Sequence, residues 1–93
     1  MYPDIILEKI QAGAKIVDVR TPDEFADEAY PNAVNIPVNE LQSRIAELGD
    51  KAASIVVYCA SGGRSALAAR MLNAYGFTDV VNAGGLYDMP EFA

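Results

Sequence analysis

The chain holds one cysteine, Cys59, and it stands between two different kinds of sequence. Before it, Ile55-Val56-Val57-Tyr58 is β-branched or aromatic and predicts a buried strand; after it, Leu67, Ala68, Met71, Leu72 and Tyr75 recur at helical spacing. The connector Cys59-Ala60-Ser61-Gly62-Gly63-Arg64-Ser65 is short and glycine-rich, which predicts a loop curled around its own centre with backbone N–H groups pointing inward, a nest that binds anions. A helix N-terminus and a neighbouring cation each lower a thiol's proton affinity from its ordinary value of about 8.5, so Cys59 is expected to hold a thiolate at neutral pH. Gly62 and Gly63 can take positive φ and let the backbone approach a ligand, and Arg64 can fold back with a planar fork of donors suited to an oxyanion. The chemistry is that of a nucleophilic sulfur inside an anion site. Ser65 is either a helix-start residue or a donor to the bound sulfur; Ser61 either contacts substrate or suits the turn. Without that context, a lone cysteine is more simply a small buried hydrophobe.

What the sequence lacks narrows the chemistry further. With no histidine there is no Cys-His pair and no imidazole metal site, and a single cysteine allows neither a Cys-x-x-Cys redox motif nor a thiolate zinc site. No metal and no organic cofactor are expected. One cysteine also forms no internal disulfide, in keeping with a reducing compartment. Net charge is -6, from thirteen acids against seven bases, without a basic cluster, so nucleic acid and anionic membrane are poor partners and an incoming anion must be held by local donors. No apolar run approaches the roughly 20 residues of a membrane span. Met1-Tyr2-Pro3-Asp4 lacks the basic start and apolar stretch of a signal peptide, so the expectation is cytoplasmic, with a mature periplasmic protein expressed without its leader as the alternative. Ninety-three residues, 52% of them hydrophobic, predict one domain over 1–93, expected to be a monomer.

The elements that must position Cys59 follow from the rest of the chain. Pro3 suits a first helical turn, though Tyr2 is a weak cap; Ile6, Leu7 and Ile10 follow at helical spacing to a stop at Gly13. Lys15 to Val19 reads as a strand carrying Asp18, either a structural acid paired with a base or a catalytic acid, the structural role being favoured because buried carboxylates are rarely left unpaired. Arg20 is expected to be a structural partner bracing a loop at the strand end rather than a direct substrate ligand. Thr21-Pro22-Asp23-Glu24 predicts a capping box, with Phe25 in the core. Val34 to Ile36 predicts a short strand closed by Pro37. Asn39 is expected to cap a helix burying Leu41, Ile45 and Leu48 until Gly49, with Glu40, Arg44 and Glu47 on its solvated face. Gly76 predicts a C-cap with Phe77 packing back. Thr78 to Asn82 reads as the last strand, Ala83-Gly84-Gly85 as a tight turn, and Leu86 to Met89 as a final helical turn. Alternating strands and helices argue for an α/β sandwich with a mostly parallel sheet, in which ligands sit beyond the strands' carboxyl ends, where Cys59 falls.

Cys-x-x-Gly-x-Arg-Ser at a strand-to-helix junction, with Asp18-Val19-Arg20-Thr21-Pro22-Asp23-Glu24-Phe25 upstream and Asn82-Ala83-Gly84-Gly85-Leu86 downstream, resembles the rhodanese sulfurtransferase domain over roughly Ile16 to Met89. The similarity is to the small single-domain rhodaneses, the phage-shock type among them. The resemblance implies a rhodanese-like three-layer sandwich, its central mostly parallel sheet flanked by helices on both faces. It implies thiosulfate sulfurtransferase activity through a Cys59 persulfide, with Ala60 to Ser65 binding substrate, thiosulfate as donor, and cyanide or a thiol such as glutathione or thioredoxin as acceptor. The chain departs from the family at Glu28 to Ala33, where a Gly-His-Ile-x-Gly-Ala type of segment is common, and near Met89, where a tryptophan is. Asn32 can take a left-handed turn position in place of glycine. A persulfide carrier or binding module with slow turnover is the alternative. A cysteine phosphatase or arsenate reductase fits less well, because four residues, Ala60 to Gly63, separate Cys59 from Arg64 where a Cys-x5-Arg phosphate loop has five.

Overall fold

Three parallel pairings assemble the sheet that carries Cys59. The computed structural model describes residues 3–91, with side chains from Ile5 onward. In chain order it runs α1 (Pro3–Gln11), β1 (Lys15–Asp18), α2 (Pro22–Asp27), β2 (Val34–Asn35), two 3-10 turns (Val38–Glu40 and Ile45–Leu48), β3 (Ser54–Cys59), α3 (Gly63–Ala74), β4 (Asp79–Gly85) and a last 3-10 turn (Leu86–Asp88). The strands lie in the order β2-β1-β3-β4. Every neighbouring pair is parallel, with Val17 beside Val34, Val17 beside Val57, and Val56 beside Val81.

The period of two along β3 divides the core between the sheet's faces. Ile55, Val57 and Cys59 join Val17, Val19, Ile36, Leu41, Leu48, Ala68, Leu72 and Phe77 in one buried cluster, which packs α3 against the sheet. Val56 and Tyr58 join Ile6, Ile16, Tyr30 and Met89 in the other, beneath α1. Cys59 therefore faces α3, the helix that its own loop opens. Met89, near which the resemblance leads one to expect a tryptophan, packs in the second cluster. Among the described residues no helix is long and apolar enough to cross a membrane.

The end of α3 follows its sequence signals closely. Gly76 takes φ 98°, its N–H donates to the Asn73 carbonyl, and the Phe77 N–H donates to the Leu72 carbonyl, a Schellman closure with Phe77 packed beneath. Gly13 likewise ends α1 at φ 98°, and Asn32 takes φ 67°. The Tyr2 cap lies outside the described residues.

Several expectations are corrected. Residues 39–48 form no α-helix: Pro37, not Asn39, precedes the first 3-10 turn, and the Ser43 hydroxyl donates to the Glu40 carbonyl, a local bond that competes with helical pairing. Leu41 and Leu48 are buried all the same, while Ile45 is only partly so, and Arg44 pairs with Glu40 and Glu47 on the outer side. Phe25 is half-buried and joins neither cluster, because α2 is six residues long and none of them is buried. Leu67 is exposed, since the buried stripe of α3 runs through Ser65, Ala68 and Leu72. Ala83-Gly84-Gly85 continues β4 instead of turning: Val57 pairs with Asn82 but Cys59 with Gly85, so β4 carries one extra residue as a bulge, which Gly84 accommodates at φ 92°.

Candidate active site

Cys59 is the last residue of β3 and is 1% exposed. The loop then turns back at once, as Gly62 takes φ 104° and caps α3. A residue with a Cβ is strained there, so glycine is what lets the turn be this tight. The Gly62 N–H points at Sγ at 2.9 Å, and the Ser65 hydroxyl lies 3.4 Å from it. Burial pushes the Cys59 thiol up, and the donors turned towards the sulfur, the N–H groups of Ser65, Gly62 and Ser61 among them, bring it below its ordinary range. The α3 N-terminus adds its partial positive charge at the same point.

The other loop residues take distinct places. Ala60 and Ser61 are exposed, and the Ala60 carbonyl is packed against Gly85. Gly63 is the first residue of α3 and, unlike Gly62, has no positive φ, so its expected conformational role falls away. Ser65 is fully buried. Arg64 turns to α2 rather than folding back over the sulfur: its guanidinium donates to Glu24 Oε1 at 2.7 Å and Oε2 at 3.1 Å. Glu24 Oε1 also accepts the Thr21 N–H and hydroxyl, while Thr21 Oγ1 accepts the Glu24 N–H, completing the expected capping box. One carboxylate thus joins the α2 cap to the mouth of the cysteine loop.

β4 supplies residues that loop chemistry alone did not single out. Asn82 Oδ1 accepts the Ser65 hydroxyl at 2.7 Å and the Gly84 N–H at 2.9 Å. The Gly85 N–H donates to Asp88 Oδ2 at 2.8 Å. A Cβ on Gly85 would lie 2.2 Å from the Ala60 carbonyl oxygen. Paired glycines at the end of a predicted strand were the available signal of such close approach.

Asp18 and Arg20 brace the sheet's end. Asp18 is fully buried; Oδ1 accepts from the Arg20 N–H and Nε, and Oδ2 from Arg20 Nη2 and the Tyr58 hydroxyl, both at 2.7 Å. Arg20 also donates to the Glu28 carbonyl at 2.6 Å. The segment that departs from the family is fixed by the same network: the Tyr30 N–H donates to the Tyr58 oxygen, the Tyr30 hydroxyl donates to the Pro90 carbonyl, and the Tyr87 hydroxyl donates to the Glu28 carboxylate.

A cysteine closing an inner strand of an all-parallel sheet, its sulfur facing the helix that its loop opens, defines a class of α/β protein. The chain belongs to the Rhodanese-like domain family, whose model matches residues 3–88. It is 42% identical over 74 residues to the thiosulfate sulfurtransferase PspE of Escherichia coli K12, covering 78% of this chain and 71% of the relative. It is 35% identical over 86 residues to the putative sulfur carrier protein YrkF of Bacillus subtilis, covering 86% of this chain but only 46% of that relative. Among solved structures it is similar to a rhodanese with anions from E. coli, at 41% identity and TM-score 0.79, covering 84% of this chain and 95% of that one.

Proposed function

We propose that this chain is a sulfurtransferase that carries sulfane sulfur on Cys59, with thiosulfate as donor. The observation that carries the proposal is a single buried sulfur that accepts the Gly62 N–H at 2.9 Å, with the Ser61 and Ser65 N–H groups on the same side. Such donors stabilise a thiolate and, once sulfur is loaded, the charge on the outer atom of the persulfide. The Cys59 thiolate attacks the outer sulfur of thiosulfate; the Sγ–S bond forms as the sulfur–sulfur bond of thiosulfate breaks, and sulfite leaves with the electron pair. An acceptor nucleophile, cyanide or a thiol, then attacks the terminal sulfur and the Cys59 thiolate departs. Ala60 to Ser65 form the substrate loop, and Arg64 supplies positive charge at its mouth once its grip on Glu24 is shared with the donor's oxygens. Neither step calls for a proton shuttle.

Persulfide transfer from another protein, with slow use of free thiosulfate, is favoured by one specific observation: both Arg64 donors already face Glu24. Intact mass after incubation with thiosulfate, and again after cyanide, tests the proposal. Wild type gains the mass of one sulfur atom, cyanide removes it, Cys59→Ala gains nothing, and Arg64→Ala loads far more slowly. No gain in wild type from thiosulfate or from a protein persulfide would overturn the function.

A further inference from the structure

Ser65 Oγ has four acceptors within reach and one proton to give. Asn82 Oδ1 lies at 2.7 Å, the Gly62 carbonyl at 3.2 Å, the Gly84 carbonyl at 3.3 Å and Cys59 Sγ at 3.4 Å. Two oxygens 2.7 Å apart repel unless a proton lies between them, and Asn82 Oδ1 carries none. The amide cannot be reversed to bring its nitrogen there, because the same oxygen accepts the Gly84 backbone N–H at 2.9 Å. The proton between Ser65 and Asn82 is therefore the serine's own.

We infer that Asn82 is a positioning residue: by taking the Ser65 proton it keeps that hydroxyl from donating to the Cys59 sulfur and leaves the thiolate to the backbone N–H groups alone. The inference rests on Cys59 being the nucleophile proposed above. It gives the asparagine a chemical purpose, since each further donor makes a thiolate more abundant but also a weaker nucleophile, and the best attacking thiol titrates near ambient pH. Asn82 withdraws one donor from a sulfur that already has several.

The charged groups on the surrounding elements do not account for such an effect. Arg64 on α3 is paired with Glu24 on α2, Asp18 and Arg20 beside β3 are paired with each other, and Asp88 accepts the Gly85 N–H. All of them are present in every variant compared.

Because Cys59 is the only thiol, its titration can be followed by the rate of iodoacetamide alkylation against pH. In Ser65→Ala the midpoint stays at the wild-type value. In Asn82→Ala the freed hydroxyl turns to the charged sulfur, a stronger acceptor than a neutral carbonyl, and the midpoint falls by about one unit, the worth of one charge-assisted hydrogen bond. The double variant returns to the Ser65→Ala value. A midpoint that rises in Ser65→Ala, or a fall in Asn82→Ala that persists in the double variant, would overturn the role. If Asn82→Ala does not fold by circular dichroism, Ser65→Ala alone decides. Failure of wild type to load sulfur, with these shifts as expected, would remove the proposed function and leave Asn82's role standing; sulfur loading without the shifts would do the reverse.

Discussion

At the scale of single residues, Glu24 does two jobs with one carboxylate. Its pKa is held at about 2, below the ordinary 4.5, first by the Arg64 guanidinium and then by the Thr21 N–H. A carboxylate lowered in this way stabilises the fold above its ordinary pKa, and that contribution is lost as pH falls from 4.5 towards 2. Both side chains are more than one-third exposed, 35% for Glu24 and 37% for Arg64, so solvent screens the pair and the effect is small. Glu24→Gln, which keeps a capping acceptor, is expected to melt slightly below wild type at neutral pH, with the gap closing on acidification and shrinking with added salt; melting curves across pH check this. The pairing itself was hidden from sequence. Arg64 five residues after a cysteine suggested an oxyanion ligand, but its partner lies 40 positions away, and only the packing of α2 beside the loop brings them together.

At the scale of elements, the cysteine loop is held from outside as much as from within. Gly63 and Gly85 look alike in sequence but differ in space. Nothing lies within 4 Å of a Cβ built on Gly63, whereas one on Gly85 meets the Ala60 carbonyl oxygen at 2.2 Å. Gly63→Ala is therefore expected to stabilise the fold by about 0.4–1 kcal/mol, because alanine at a helical position restricts the unfolded chain. Gly85→Ala is expected to lower the melting temperature and slow sulfur loading by forcing the loop away from β4. Urea unfolding of the two variants separates these outcomes. Capping signals were legible because they are local: Thr21 with Glu24, Gly76 with Phe77, and Gly13 all act where the sequence placed them. The extension of β4 to Gly85 was not, since a bulge is settled by the register with the neighbouring strand, and the turns around Leu41 were not, since helical spacing of Leu41, Ile45 and Leu48 does not reveal the Ser43 bond that competes with it.

At the scale of the whole molecule, one buried polar chain ties the sheet to both flanking segments. Asp18 holds Arg20 and Tyr58; Tyr58 accepts from Tyr30, and Tyr30 reaches the Pro90 carbonyl. Burial, reinforced by the Asp18 carboxylate, pushes the Tyr58 phenol up to about 12, so it stays a donor across the neutral range. Asp18→Asn leaves the Arg20 guanidinium without its counter-charge, and a broken buried pair costs about 3–5 kcal/mol. The expected outcome is a much lower urea midpoint, with Tyr58→Phe milder because it removes one hydrogen bond and no charge. Sequence marked Asp18 as structural because buried carboxylates are paired, but its Tyr58 partner is 40 residues away and became visible only once β1 lay beside β3.

The contacts from Asn82, Gly85 and Asp88 also order events in time. Each of these residues is translated more than twenty positions after Cys59. The loop that bears Cys59 therefore takes its final shape only once β4 has been laid beside β3. A chain cut between α3 and β4 would keep Cys59 and every residue of its loop, yet lose the Asn82 and Gly85 contacts that hold them.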